Sequence, residues 1–263
     1  MTVKANPGLA SGINSVAGRV VVITGASRGV GRALAEAFAH EGAHLGLLAR
    51  DAVALASLTG DLASDGCDVL CAPCDVSNPS TLTAAFRHVV DHFGQVDSVI
   101  VNAGVSPAAH RAHNLPIEAW NEVLRVNLTG GFVTARAAYP HLARSQRGRL
   151  VFTSSVMARS PRRGLSAYAA SKAGLEGLTR ALAADWAADG ICVNAVAPGF
   201  FETGLGSAFH TSPRLRDQVE GRTPLGRFGM PRELASAFLF LAGDASGYVT
   251  GHVMSVDGGY GLG

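Results

Sequence analysis

Short, unbroken apolar runs separated by longer helical stretches set the rhythm of the chain from residue 19 onward. The runs are Arg19-Val20-Val21-Val22-Ile23, His44-Leu45-Gly46-Leu47-Leu48, Asp68-Val69-Leu70-Cys71, Ser98-Val99-Ile100-Val101, Leu150-Val151-Phe152, Ile191-Cys192-Val193-Asn194-Ala195-Val196 and Val253-Met254-Ser255-Val256. A strand with one wet face alternates polar and apolar residues; these do not, so both faces are expected to be buried. Seven such strands alternating with helices predict an α/β fold with a seven-stranded parallel sheet and helices on both faces, doubly wound by right-handed crossovers. Two long helices are expected, one over 115–145 starting near Pro116 and one over 166–189. In the first, Asn127 followed by Gly130-Gly131 predicts a local kink, because neither residue type favours a helix interior. Residues 1–17, with Pro7, Gly8 and Gly12, read as a flexible extension, and 18–263 as a single domain. The stretch 204–224, polar and broken by Pro213 and Gly221, reads as an irregular mobile lid.

Composition narrows the class. The chain has 263 residues, 48% hydrophobic and 16% charged, enough for one large core. Its net charge of +2 comes from scattered basic residues, which argues against a nucleic-acid footprint or a membrane-surface stripe. Runs such as Ala237-Phe238-Leu239-Phe240-Leu241-Ala242 fall far short of the ~18 apolar residues a membrane span needs. With no secretion signal, the expected location is the cytoplasm. The four cysteines, Cys67, Cys71, Cys74 and Cys192, fit reduced thiols there. Cys71 and Cys74 form a C-x-x-C with no second Cys/His pair nearby, and His88 and His92 sit at i, i+4 without a third ligand. A zinc site needs more, and no metal is expected.

Two stretches carry chemistry. Thr24-Gly25-Ala26-Ser27-Arg28-Gly29-Val30-Gly31 joins the first strand to a helix; its glycines let the backbone turn sharply and approach a pyrophosphate, which a helix N-terminus binds through unpaired N–H groups and its dipole. The second stretch runs from Arg149 to Ala173. It leads from a strand ending in Thr153-Ser154-Ser155 through a Pro/Arg/Gly loop into a helix carrying Tyr168 and Lys172. Four apart on a helix, a phenol and an ammonium share one face. Bringing a tyrosine from ~10 to about 7 takes roughly 4 kcal/mol. One ammonium at ~4 Å supplies about that much at an effective dielectric of ~20.

The G-x-x-x-G-x-G spacing of the turn, together with Ser155, Tyr168 and Lys172, resembles the short-chain dehydrogenase/reductase family in its simple form, over nearly the whole chain. The resemblance implies a Rossmann domain and an oxidoreductase interconverting a ketone and a secondary alcohol with a nicotinamide cofactor. Its catalytic set would be Asn127, Ser155, Tyr168 and Lys172: Tyr168 as proton donor, Ser155 polarising the carbonyl, Lys172 lowering the tyrosine pKa and holding the ribose, Asn127 holding a water that links the lysine to solvent. The cofactor would lie on Gly25, Ser27, Arg28, Gly29, Val30 and Gly31, on Arg50, on Asp75 and Val76, on Asn102, Ala103 and Gly104, and on Tyr168 and Lys172. Ala197-Pro198-Gly199-Phe200-Phe201-Glu202-Thr203 resembles the family's Pro-Gly-x-x-x-Thr, placing Pro198, Gly199, Phe201 and Thr203 at the nicotinamide end. Val101 stands where the family has a first asparagine, and Phe201 where a β-branched residue is commoner, which changes the pocket wall. Asn102 is expected to tie neighbouring strand ends together.

Family members that use NAD carry an acidic residue at the end of the second strand. Here Ala49 aligns with it and Arg50 follows, with Arg28 on the same side, which favours NADP(H). A one-residue shift would put Asp51 there instead. The pattern is similar to 3-oxoacyl-carrier-protein reductases and to gluconate and other sugar-acid dehydrogenases, so the expected partner is a small carbonyl or alcohol substrate. Phe200, Phe201, Leu205 and Phe209 favour an apolar substrate part; Arg162 and Arg163 favour an anionic one or form a solvated loop. A cofactor sensor without chemistry has no use for the four polar residues together, and epimerases of the extended branch need a longer C-terminal region. A homotetramer is expected, through small residues such as Ala135, Ala137, Ala138, Ala173, Gly174 and Gly177 on the two long helices.

Overall fold

The computed structural model describes residues 16–106, 109–202 and 212–262. Its elements follow in the order β1 (Val20–Thr24), α1 (Gly29–His40), β2 (His44–Ala49), α2 (Ala52–Ser64), β3 (Val69–Pro73), α3 (Pro79–Phe93), β4 (Ser98–Val101), α4 (Ile117–Leu124), α5 (Gly130–Leu142), β5 (Arg149–Thr153), α6 (Ser166–Trp186), β6 (Cys192–Pro198), α7 (Pro213–Glu220), α8 (Pro231–Ala242) and β7 (Val253–Val256). The seven strands form one sheet in the order β3-β2-β1-β4-β5-β6-β7. Every pairing is parallel, from Val20 opposite His44 to Pro198 opposite Val256.

Strand periodicity divides the apolar residues between two cores. Val20 and Val22 of β1, with Leu150 and Phe152 of β5, meet Phe86 of α3, Ala135 and Ala138 of α5, and Leu175 of α6. Val21 and Ile23, with Ile100 and Val151, meet Leu34 and Phe38 of α1 and Leu234 and Phe238 of α8 on the other face. Packing reaches back to Val16, which is fully buried in that second core. Helix α3 is capped at both ends as its residue types favour. Pro79 opens α3 behind Asn78, whose Oδ1 accepts from the Ser80 and Thr81 N–H groups at 3.1 and 3.4 Å. Gly94 closes it in the left-handed region, with φ of 79°.

The order reverses between β1 and β4, which start their crossovers in opposite directions. Their carboxyl ends therefore border a crevice, the usual ligand position in such sheets. The opposite end of the sheet is tied down by buried charge: Arg19 pairs with Asp244 and donates to Ser98 Oγ at 3.1 Å.

Several expectations change. The helix over 115–145 is two helices, α4 and α5, joined by a π-turn at Arg125–Thr129 in which the Gly130 N–H reaches back to the Arg125 carbonyl. Asn127 lies within that π-turn, at the place where a kink is expected; Pro116 precedes the first turn as its cap residue. Within 204–224, residues 213–220 form the helix α7, ordered by a proline at its first position, so the stretch is not irregular there. Thr203, Leu205 and Phe209 lie outside the described residues. Ala135 and Ala138 are buried against the chain's own sheet, whereas Ala173 stays exposed. Among the described residues, no helix is long and apolar enough to cross a membrane, and no group of His, Cys, Asp and Glu residues could hold a metal ion.

Candidate active site

The glycine turn builds one wall. Gly25 and Gly29 have φ of 67° and 57°, where a side chain would be strained. A Cβ on Gly31 would stand 2.2 Å from the Gly25 carbonyl oxygen, so only glycine lets α1 start this close to the turn. Arg28 occupies the cap position in extended conformation, no side chain caps the helix, and its first turn carries no acid. The N-terminus of α1 thus presents N–H groups and a positive dipole end to the crevice, as an anionic pyrophosphate requires. Ser27 and Val30 line the same turn, half-buried.

Asn102 ties strand ends together as expected. Its Nδ2 donates to the Thr24 carbonyl at 3.0 Å, and its own N–H and that of Ala103 donate to Thr24 Oγ1 at 3.0 and 3.1 Å. Thr24, a residue the motif comparison passes over, is the hub. A Cβ on Gly25 would come within 2.8 Å of the Ala103 backbone, so the β1 and β4 loops touch.

Beyond β2, Ala49 is the last strand residue, paired with Pro73, and Arg50 is exposed. Asp51 caps α2, its carboxylate accepting from the Ala54 N–H at 3.0 Å. At the end of β3, Asp75 Oδ1 accepts from the Ser77 N–H at 2.9 Å and Ser77 Oγ at 2.7 Å. Burial opposes the Asp75 charge, but these bonds, with Arg125 and Arg50 nearby, hold its pKa below the ordinary value. Val76 is buried against Gly130, at the far end of the π-turn.

Lys172, Asn127 and Gly104 meet at the crevice floor. Asn127 is 1% exposed; its Oδ1 accepts from the Val105 N–H at 2.8 Å, and its Nδ2 donates to the Val105 carbonyl at 2.9 Å and to Ser171 Oγ at 3.0 Å. Ser171 in turn donates to the Tyr168 carbonyl at 2.7 Å. A Cβ on Gly104 would lie 3.3 Å from Asn127 Oδ1 and 3.5 Å from Lys172 Nζ, so a side chain there would crowd the ammonium. Lys172 Nζ donates to the Thr153 carbonyl at 2.7 Å. Ser171 and Thr153 escape sequence reading because their roles arise only when α6 lies along the end of β5.

Ser155 follows β5 in extended conformation and caps a short 3-10 turn, accepting from the Met157 N–H at 3.2 Å. Its hydroxyl acts on Tyr168 in the direction that favours the phenolate. Burial raises the Tyr168 pKa, and the nearby Ser155 hydroxyl offsets this only in part. Burial lowers Lys172 to about 8. Lys172 Nζ donates to the Thr153 carbonyl at 2.7 Å and stands 5.7 Å from the Tyr168 ring centroid.

The last wall comes from β6. A Cβ on Gly199 would meet the Asp257 backbone at 2.7 Å, so the chain leaves Pro198 pressed against the turn after β7. Phe201 turns away into the core shared with α1 and α8, buried against Gly229, and is not a pocket wall. Its neighbour Phe200 faces the site, clustered with Val156, Met157, Leu165, Tyr168 and Tyr260. Arg162 is half-buried with its guanidinium carbon 5.8 Å from the Phe200 ring centroid, and Arg163 is exposed.

A doubly wound sheet with an uncapped helix at its switch point, and with a serine, a tyrosine and a lysine gathered one strand away, is the arrangement of a Rossmann-type oxidoreductase. A family profile described as enoyl-(acyl carrier protein) reductase matches residues 25–261. Cis-4-hydroxycyclohexanecarboxylate dehydrogenase of Sinomonas cyclohexanicum is 36% identical over 92% of this chain and 96% of its own. The 3-oxoacyl-[acyl-carrier-protein] reductase of Vibrio cholerae is 34% identical over 92% and 97%. Among solved structures, a 3-oxoacyl-[acyl-carrier protein] reductase with bound NAD from Brucella melitensis superposes with a TM-score of 0.84 at 36% identity, covering 94% of this chain and 92% of that one. The chain belongs to the short-chain dehydrogenase/reductase family.

Proposed function

We propose that the protein is an NADP(H)-dependent oxidoreductase interconverting a ketone and a secondary alcohol, with Ser155, Tyr168, Lys172 and Asn127 as its working residues. The observation that carries this reading is the gathering of Ser155, Tyr168 and Lys172 at the carboxyl end of β5, with Lys172 Nζ 2.7 Å from the Thr153 carbonyl and 5.7 Å from the Tyr168 ring centroid, on the same crevice as the glycine turn. The nicotinamide supplies or accepts the hydride. A phenol kept protonated by burial is a competent proton donor to the carbonyl oxygen, and the Ser155 hydroxyl stabilises the developing alkoxide. Lys172, with two ammonium protons beyond the one given to Thr153, has donors for the ribose hydroxyls. Because the Asn127 side chain is engaged by Val105 and Ser171, a relay water belongs at the main-chain carbonyls that the π-turn releases from their helical partners.

Preference for NADP(H) is supported by Ala49 at the strand end, by the use of Asp51 as a helix cap, and by Arg28 and Arg50. A well-ordered arginine on the 2′-phosphate is worth about ten- to a hundredfold in affinity, the lower end applying to exposed side chains. The remaining cofactor contacts are assigned to Gly25 to Gly31, Asp75, Val76, Asn102 to Gly104, Pro198 and Gly199. A homotetramer in the cytoplasm completes the reading, with the exposed Ile117 and Phe132 on α4 and α5 as apolar surface for association.

For substrate, the reductases among the relatives favour a 3-oxoacyl thioester. A second reading, a carboxylic acid bearing a ring or chain alcohol, is favoured by the half-buried Arg162 and by the Sinomonas relative. The test is kcat/KM for NADPH and NADH across β-ketoacyl thioesters, oxo acids and cyclic ketones. An NADH preference would refute the cofactor assignment, and turnover of none of these carbonyls would refute the reaction class.

A further inference from the structure

Helix α6 carries Tyr168, Lys172 and Glu176 at successive intervals of four residues, so the three share one face. The first two have assigned roles in the reaction. Glu176 has none, although it is only 6% exposed and stands one turn beyond the lysine. Burying a carboxylate is costly and pairing at best repays the cost, so an apolar residue in its place would serve stability as well.

Both oxygens of Glu176 are engaged, and by the two ends of one segment. Oε1 accepts from Ser154 Oγ at 3.1 Å, and Oε2 from Arg159 Nε at 3.0 Å. Ser155 lies between these two residues. On the strand side, the Ser154 N–H donates to the Val196 carbonyl of β6 at 2.7 Å, and its hydroxyl also reaches the Lys172 carbonyl at 3.4 Å. From Ser155 onward the chain turns tightly. Ser155 Oγ accepts from the Met157 N–H at 3.2 Å, the Ser155 carbonyl from the Ala158 N–H at 2.9 Å, and the Val156 carbonyl from the Arg159 N–H at 3.1 Å. A hydroxyl that accepts from Met157 keeps its own proton to donate, and the seating of the segment on α6 decides where that proton can reach.

We propose that Glu176, together with Arg159, is a positioning residue for the reduction: its carboxylate clamps both ends of the segment 154–159 to α6 and so fixes the Ser155 hydroxyl relative to Tyr168 and Lys172 on the same helix. This rests on the reading of Ser155 as the group that stabilises the developing alkoxide. Misplacing such a group by about 1 Å costs up to about a hundredfold in rate. The clamp acts on the carbonyl, so the loss belongs in kcat/KM for the carbonyl substrate and not in the KM for NADPH.

The experiment measures kcat/KM for the best-reduced carbonyl at saturating NADPH, and the KM for NADPH, in the wild type, Glu176→Gln, Ser155→Ala and the double variant. Glutamine keeps the size of the side chain and an acceptor for Ser154, but its amide nitrogen cannot accept from Arg159. Glu176→Gln is expected to lose about ten- to a hundredfold in kcat/KM with the KM for NADPH unchanged, and to lose less than about twofold more when Ser155 is already alanine. A residue that only holds the fold together would lower the urea midpoint and leave kcat/KM of the folded enzyme as it was; that result overturns the proposal. So does an equal loss in both backgrounds, or a raised KM for NADPH, either of which assigns Glu176 to Lys172 instead. Should Glu176→Gln not fold, Arg159→Ala carries the same comparison, because the arginine side chain is half exposed; failure of both to fold makes the pair structural and ends the proposal. If the wild type reduces no carbonyl, or Ser155→Ala reduces it as fast as the wild type, the reading of Ser155 fails, and hydrogen exchange decides the clamp separately. Amides of residues 157–160 that exchange at least about tenfold faster in Glu176→Gln than in the wild type support it, and equal rates sink it.

Discussion

Lys172 is 3% exposed, and burial alone carries its pKa from 10.5 to about 8. The folded chain therefore bears a charge it would be more stable without. Replacing Lys172 with methionine keeps the length of the side chain and removes that charge. Unfolded, the lysine takes up its proton near 10.5; folded, near 8. Between these values the unfolded chain binds more protons, so the lysine contribution to stability rises with pH, and below 8 its penalty is complete. A shift of this size is worth roughly 3 kcal/mol at neutral pH. Against it stands the 2.7 Å bond to the Thr153 carbonyl, worth about 1 kcal/mol. Lys172→Met should accordingly be inactive yet more stable at pH 7, by about 1–2 kcal/mol, or roughly 3–6 °C in Tm. The advantage should shrink through pH 8–10 and reverse slightly once the wild-type lysine is neutral. Urea unfolding of both proteins, without cofactor and at one protein concentration, reads the difference directly. A variant less stable than wild type at pH 7, or a difference constant from pH 7 to 10, would refute the argument.

Tyr168→Phe should lower kcat to less than a tenth of wild type while leaving NADPH binding intact, as measured by turnover and by nucleotide fluorescence titration, because only the proton donor is lost. Asp51→Ala should cost about 1 kcal/mol of stability through the lost cap on α2 and leave the NADPH-to-NADH ratio of kcat/KM unchanged; a selective loss with NADH would place Asp51 at the ribose. Light scattering at micromolar concentration should give the mass of a tetramer, and a monomer would remove the assembly.

The sheet was legible because doubly buried strands need unbroken apolar runs, and Val20–Thr24 or Ser98–Val101 admit little else. The glycine turn was legible because its sterics are local: a Cβ on Gly31 meets the carbonyl of Gly25, only six residues away. Helix α7 was not legible from an apolar stripe, since Val219 is its one buried residue, and the proline at its first position was the signal available. Motif matching did not separate Phe200 from Phe201: just past the end of β6, Phe201 enters the core shared with α1 and α8 while its neighbour Phe200 joins the cluster around Tyr168.

Tyr168 and Lys172 mark where helical spacing stops being informative. Residues four apart do share a face, and the ammonium does lie near the ring, at 5.7 Å from its centroid. Spacing says nothing, however, about the carbonyl of Thr153 on a neighbouring strand, which captures Nζ at 2.7 Å. Burial pushes the phenol up and the ammonium down, so both groups are driven toward their neutral forms. A phenol in that state holds its proton at neutral pH, which suits reduction; oxidation requires that something else stabilise the phenolate. Ser155, beside the phenol, already supplies part of that. The rest must come from groups brought in when the site fills, so the pH dependence of alcohol oxidation belongs to the occupied site as a unit and not to the Tyr-x-x-x-Lys pair alone.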